Sequence, residues 1–132
     1  MVQLVWDTGG CGTATVASGT TVTVGEGANV SPEELVAMAA ASCLMRTFLR
    51  LAAETGIEIL SYASTAHVES SEATGPRVHV RSYVVAPREF SHDAVRDLCD
   101  QSVRASPIAR LLGDHVTVQA DVRTLTSAHS GP

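Results

Sequence analysis

The chain contains no lysine. All nine of its basic residues are arginine, against 14 acidic ones, for a net charge of -5 over 132 residues. A dedicated nucleic-acid binder needs clustered cations to displace counterions, so this balance argues against nucleic acid as a partner. Aromatic residues are also scarce, at 4%, which leaves a core of Val, Leu, Ala and Ile. Cysteine occurs three times, at Cys11, Cys43 and Cys99. An odd, widely spaced set without a CxxC pair excludes a disulfide framework and a zinc cluster. No GxSxG, P-loop, dinucleotide fingerprint or HExxH is present, which removes the reaction classes those motifs serve. The Asp7-Thr8-Gly9 triplet matches the DTG of aspartic proteases. A chain this short would need its second Asp from a dimer, however, and the flanking apolar pattern is absent.

The opening MVQLVWDTGG lacks a basic segment followed by a long apolar one, so no signal peptide is read and the expected compartment is the cytoplasm. From Leu35 to Met45 no residue is charged. Eleven residues are too few to span a bilayer, and no membrane segment is expected.

What is present is organised around Ser31 to Gly56, SPEELVAMAAASCLMRTFLRLAAETG. Ser31 suits an N-cap, Pro32 the first helical position, and Glu34 completes a capping box. Glu33 and Glu34 favour the positive end of the dipole, and Gly56 supplies a C′ stop. A helix of about 24 residues, roughly 35 Å long, is predicted. Its middle is apolar on every side, which marks a buried helix.

Three strands are predicted before it: Val2–Trp6, then Thr13–Ala17 and Thr20–Val24 joined at Ser18-Gly19. Cys11 falls in the DTGGCG turn. After the helix, Ile57–Glu69 and Arg77–Ala86 read as an antiparallel pair. Ser91 caps a second helix with Ala94, Val95, Leu98, Cys99, Ser102 and Val103 on one face. Ser106-Pro107 ends that helix and starts a short one to Leu112. Val116–Leu125 is a last strand, and 126–132 a loose tail. The order βββ-α-ββ-α-α-β predicts one α+β domain over 1–132 with antiparallel sheets rather than alternating βαβ units.

Cys43 is the first candidate for chemistry. It is either small-residue packing on a tight helix or a reactive thiolate. Mid-helix placement offers no help from the dipole, so activation must come from side chains. Arg46 and Arg50 follow it at one and two turns. Cys99 reads as core, and Cys11 as an exposed thiol without a role. The five histidines, His67, His79, His92, His115 and His129, show no ligand spacing. His67 and His79 lie on paired strands and can face each other, but a solvated sheet face accounts for them. No metal or organic cofactor is expected.

Two of these stretches together resemble the OsmC/Ohr family, the osmotically inducible protein C and organic hydroperoxide resistance proteins. The first is SPEELVAMAAASC, with Pro-Glu-Glu-Leu about ten residues before a helical Cys. The second is Ser106-Pro107-Ile108-Ala109-Arg110-Leu111-Leu112 before the last strand, similar to that family's Cys-Pro motif. The resemblance spans roughly residues 10 to 125. It implies an intertwined homodimer with long central helices wrapped by the sheets and active sites at the dimer interface. It also implies that a helical Cys is oxidised to a sulfenic acid by an organic hydroperoxide. A second Cys resolves that acid as a disulfide, which an external thiol or lipoyl protein reduces. On this resemblance Cys43 matches the peroxidatic Cys and Glu33 the helix-start Glu. The resolving position is Ser106. The activating Arg has no match, since Thr23 falls near its place and no Arg precedes Arg46.

Arg46 is the candidate substitute for that Arg. Cys99, seven residues before Ser106 and about 10 Å away along a helix, is too far to replace the second Cys without rearrangement. Two functions follow from the resemblance. One is a one-cysteine peroxidase using Cys43, tuned by Glu33 and Arg46, with an external thiol reductant. The other is a non-peroxidase member that binds a small hydrophobic ligand at the dimer interface.

Overall fold

The computed structural model describes residues 1–27 and 30–125. The tail expected at 126–132 lies outside the described residues, as does His129. The chain divides into two compact units, Met1–Val36 and Ala37–Pro132.

The first unit is an antiparallel sheet in the order β1-β2-β3, with β1 at Gln3–Thr8, β2 at Cys11–Thr15 and β3 at Thr21–Gly25. Short strands joined by tight turns can pair only this way. The predicted strands are recovered with shifts of one or two residues. Cys11, expected inside a turn, instead opens β2 and is half-buried. Gly25 must be glycine. Its φ is 119°, and a Cβ there would lie 2.1 Å from the Gly10 carbonyl oxygen. The unit ends in the first turn of α1 (Pro32–Thr55). The Ser31 N–H donates to Glu34 Oε1 at 2.9 Å, and the Glu34 N–H donates to Ser31 Oγ at 3.1 Å. This is the predicted capping box. These hydrogen bonds, chiefly the one from the Ser31 backbone, hold the Glu34 carboxyl below its ordinary range.

The second unit carries the rest of α1, which stops at Gly56 with φ of 75°. There the Ile57 N–H donates to the Ala52 carbonyl at 2.9 Å, the long-range bond of a Schellman cap. Three strands follow, β4 (Ser61–Ser71), β5 (Gly75–Pro87) and β6 (Val116–Leu125), in the order β4-β5-β6. β4 and β5 pair antiparallel, as predicted. β5 and β6 pair parallel, so the expectation of purely antiparallel sheets is corrected. The physical reason is the connection. A hairpin returns the chain antiparallel, whereas 88–115 carries α2 (His92–Ala105) and α3 (Pro107–Leu112). That is long enough to bring β6 back to the same end of the sheet. The segment β5-α2-α3-β6 is thus a crossover inside an otherwise α+β order.

One face of this sheet is buried and the other open, following the two-residue period of the strands. Val78, Val80, Ser82, Val84 and Ala86 of β5 point inward and are all buried. Against them α1 sets Ala37, Ala40, Leu44, Phe48 and Ala52, spaced by three or four residues. Phe48 packs on Tyr62 with ring centroids 5.4 Å apart, and the Tyr62 hydroxyl meets Ser82 Oγ at 3.0 Å. α2 adds Val95, Leu98 and Cys99, and α3 adds Ala109. Of the predicted α2 face, Ala94 is exposed and Val103 half-buried.

By length and composition α1 could cross a bilayer. An 18-residue window of it has a mean hydropathy of 1.5. The expectation of a segment too short to span counted only the uncharged run, and the full helix is longer. Its buried stripe packs on the sheet, but Met38, Met45 and Leu49 on its other faces are exposed, so within one chain the expectation of a helix buried on every side is corrected.

Truncating Phe48 to Ala should lower the unfolding free energy by about 3–5 kcal/mol. Leu111→Ala, at a side chain 79% exposed, should stay within about 0.5 kcal/mol of the parent. Urea denaturation followed by circular dichroism checks both.

Candidate functional site

Cys43 sits in the middle of α1, between the buried Leu44 and the exposed Ser42, and is itself half-buried. Helical spacing puts Arg46 and Thr47 one turn on and Arg50 two turns on. These four residues line a cavity of about 690 Å³, closed on its other side by Ala105, Pro107 and Ile108. The second wall exists because α2 stops at Ala105. Ser106 takes extended backbone (φ -69°, ψ 120°), and Pro107 starts α3 as a new helix.

Ser106 is fully buried and donates its hydroxyl to Cys43 Sγ at 3.1 Å. Its oxygen accepts the Ala109 N–H at 3.5 Å as the N-cap of α3. A lone pair is therefore occupied by the backbone, and the hydroxyl proton is left for sulfur. The residue at the second-motif position is thus a direct partner of the thiol.

Burial pushes the Cys43 thiol up, but four groups together outweigh it. The Ser106 hydroxyl acts most, followed by the Ile108 backbone N–H, the Arg46 charge and the Thr47 hydroxyl. The net result is a thiol that titrates below its ordinary range, the direction that favours the nucleophilic thiolate. This corrects the expectation that only side chains could activate a mid-helix Cys. One of the donors is a backbone amide in the first turn of α3, where amides have no partner inside the helix.

Cys99 is the contrast. It is buried in the cluster around Phe48, Val95 and Leu98. Burial first, then the Asp100 charge, pushes it up to about 11, with Arg96 offsetting part of this. The expectation that it is core agrees with this placement. All three cysteines are free.

Of the residues singled out in the sequence, Cys43 and Arg46 line one cavity, and Ser106, buried and outside that lining, touches Cys43 Sγ. Glu33 lies in the first turn of α1 in the N-terminal unit, and Thr23 is an exposed residue of β3. Thr47 and Ile108 went unrecognised. Thr47 could have been found from its i+4 relation to Cys43. Ile108 carries no side-chain signal at all, because it contributes a main-chain N–H. None of the residues around Cys43 forms a metal-binding set. The group among the described residues that could hold an ion is His67, Glu69 and His79, on the open face of the β4-β5-β6 sheet.

A family model described as OsmC-like protein matches residues 25–121. Solved structures share the fold at low identity. An OsmC-like protein from Vibrio cholerae O1 biovar eltor superposes with a TM-score of 0.78 at 18% identity, over 92% of this chain and 97% of that one. An OsmC-like protein from Mycoplasma pneumoniae gives 0.79 at 14%, over 96% of each chain. An organic hydroperoxide resistance protein from Legionella pneumophila gives 0.71 at 17%, over 94% and 96%. No curated protein matches the sequence.

Replacing Ser106 with Ala should move the Cys43 titration upward, and Arg46→Ala should move it upward by less. The rate of iodoacetamide alkylation against pH, read at the Cys43 peptide by mass spectrometry, checks this. Cys99 should stay unmodified until the pH approaches 11.

Proposed function

The chain belongs to the OsmC-like family, and from that membership and the Cys43 site we propose that it reduces organic hydroperoxides through Cys43, using an external thiol as reductant. The observation that carries the reading is the contact between the buried Ser106 hydroxyl and Cys43 Sγ at 3.1 Å. Cys43 lines a cavity that Arg46 also lines. A thiolate stabilised by donated hydrogen bonds and open to solvent space is what attack on a peroxide requires.

The reaction balances as follows. The Cys43 thiolate attacks the terminal hydroperoxide oxygen, the O–O bond breaks, and the alkoxide leaves as the alcohol after taking up a proton. Sulfur is oxidised to the sulfenic acid. An external thiol then attacks that sulfur and water departs, leaving a mixed disulfide. A second thiol, or the other sulfur of a dithiol such as a lipoyl group, releases Cys43 and carries away the disulfide. Per turnover one hydroperoxide and two thiols give one alcohol, one water and one disulfide. Arg46 is the tuning cation. Glu33 is assigned to the assembled site of a homodimer. The reducing cytoplasm is the compartment that supplies the reductant.

The homodimer is part of this proposal. On α1, Met38 is 55% exposed, and Val36, Met45 and Leu49 are exposed with it. In the N-terminal unit the β1 residues Leu4, Val5 and Trp6 are exposed too. A second copy would take these apolar side chains from water. The alternative reading, a non-peroxidase that binds a small hydrophobic ligand, has less to support it. The Cys43 cavity is lined by Ser42, Arg46, Thr47 and Arg50 as well as by apolar groups.

The deciding measurement is the rate at which cumene hydroperoxide consumes Cys43, followed by titratable thiol and intact mass. Fast, stoichiometric loss of one thiol per chain, abolished in Cys43→Ser, is expected. A rate no better than that of a free thiol overturns the peroxidase reading and leaves the ligand-binding one. A second prediction uses the family pattern. Ser106→Cys puts a thiol where a hydroxyl already touches Cys43 Sγ, so one equivalent of hydroperoxide should give an intramolecular 43–106 disulfide, seen in a non-reducing peptide map. The parent should instead stop at the sulfenic acid with one equivalent and pass to sulfinic acid only when a second equivalent of hydroperoxide is added without an external thiol.

A further inference from the structure

The open face of the β4-β5-β6 sheet carries chemistry that the Cys43 site does not use. His67 on β4 is the direct cross-strand partner of His79 on β5. Glu69 lies two residues beyond His67 and so projects from the same face. The imidazoles stack with centroids 5.2 Å apart, and His79 Nε2 meets Glu69 Oε1 at 3.1 Å. One ligand atom from each of the three residues can be chosen so that all lie within 4.8 Å of one another. They line a groove of about 310 Å³ with Thr65, Arg81, Thr117 and Gln119.

We propose that His67, Glu69 and His79 form a surface site for a divalent first-row transition ion of the Zn2+ type. Two imidazoles and one carboxylate are a donor set for such ions, whereas Mg2+ and Ca2+ require oxygen ligands. A tetrahedral ion with bonds of about 2.0–2.2 Å holds its ligand atoms roughly 3.3–3.5 Å apart. The His79–Glu69 separation is already close to this. The remaining separations, at most 4.8 Å, close by rotation of exposed side chains without moving the paired strands. Three protein ligands leave a coordination position facing the groove for water or a small anion.

The neighbouring cations are paired with other groups, although Arg81 lines the same groove. Arg77 is the cross-strand partner of Glu69, but its guanidinium donates to the Asp114 carbonyl oxygen at 2.9 Å. Arg81 is bound by Asp121, with contacts of 2.9 and 3.0 Å to the same carboxylate oxygen. The Glu69 carboxylate is thus left to the imidazoles. A hydrogen-bonded His–Glu pair alone would have no need of the second His stacked beside it. The cross-strand register supplies that His.

The test is isothermal titration of the full chain with Zn2+ alone in a non-coordinating buffer. The accessible thiols, Cys11 and Cys43, are first blocked with N-ethylmaleimide, so that they cannot supply ligands, while Cys99 is buried in the core. One Zn2+ per chain is expected. His67→Ala and His79→Ala should each weaken it at least tenfold, and Mg2+ should give no heat. Co2+ should show visible d–d bands without thiolate charge transfer. Because these side chains are partly or fully exposed, circular dichroism should show the variants folded. Absence of binding up to about 1 mM Zn2+, or equal affinity in the His67→Ala/His79→Ala double variant, overturns the proposal.

Discussion

The site depends on the packing of one face of α1 against β5. Ala37, Ala40, Leu44, Phe48 and Ala52 form that face, all of them nearly inaccessible, and they share two apolar clusters with Val78, Val80, Val84 and Ala86 of the strand. Five apolar residues at helical spacing against five on alternate strand positions fix the rotation of the helix about its axis. Once that rotation is set, Cys43 lies one residue from the buried stripe. There it is half-buried, neither sealed in the core nor free in solvent. A rotation of one residue in either direction would lose this.

The second constraint is the break between α2 and α3. Pro107 cannot continue α2, so the chain turns at Ser106 and restarts. The same serine caps α3 and touches Cys43 Sγ. A capping hydroxyl and an activating hydroxyl are one group. Its buried oxygen is satisfied by the helix it caps, and its proton by the sulfur, so no polar group is left unpaired. The Arg46 charge and the Ile108 amide then add to an arrangement already polarised toward the thiolate. Cys99 shows the opposite environment, with the same atom kept inert by burial beside an acidic neighbour.

The two faces of the β4-β5-β6 sheet separate two kinds of chemistry. The inner face supports helices and the thiol. The outer face presents His67 and His79 in register, with flanking arginines drawn to Asp114 and Asp121. This separation follows from strand alternation alone. It lets polar and ligating residues gather on one side without disturbing the packing on the other.

Local signals were enough to read the helices and their ends. Ser31, Glu34, Ser91, Ser106, Pro107 and Gly56 act within a few residues of themselves, so their roles were legible directly. The last strand was legible from its alternation. Strand partnership was not. Whether β6 runs parallel or antiparallel to β5 depends on where the 88–115 crossover delivers the chain, and no local pattern encodes that. The same holds for the site. Sequence marked Cys43, Arg46 and the Ser106-Pro107 pair as separate features, with the thiol and the hydroxyl 63 positions apart. Their contact is a product of tertiary packing, and so is the part played by the Ile108 amide, since a main-chain donor leaves no trace in residue type. The sequence by itself determined the elements and the helix ends, placed the strand ends to within about four residues, and marked Cys43 as the candidate thiol. Only the tertiary structure decided what surrounds that thiol, because hydrogen bonds between distant segments exist only after the helices have packed on the sheet.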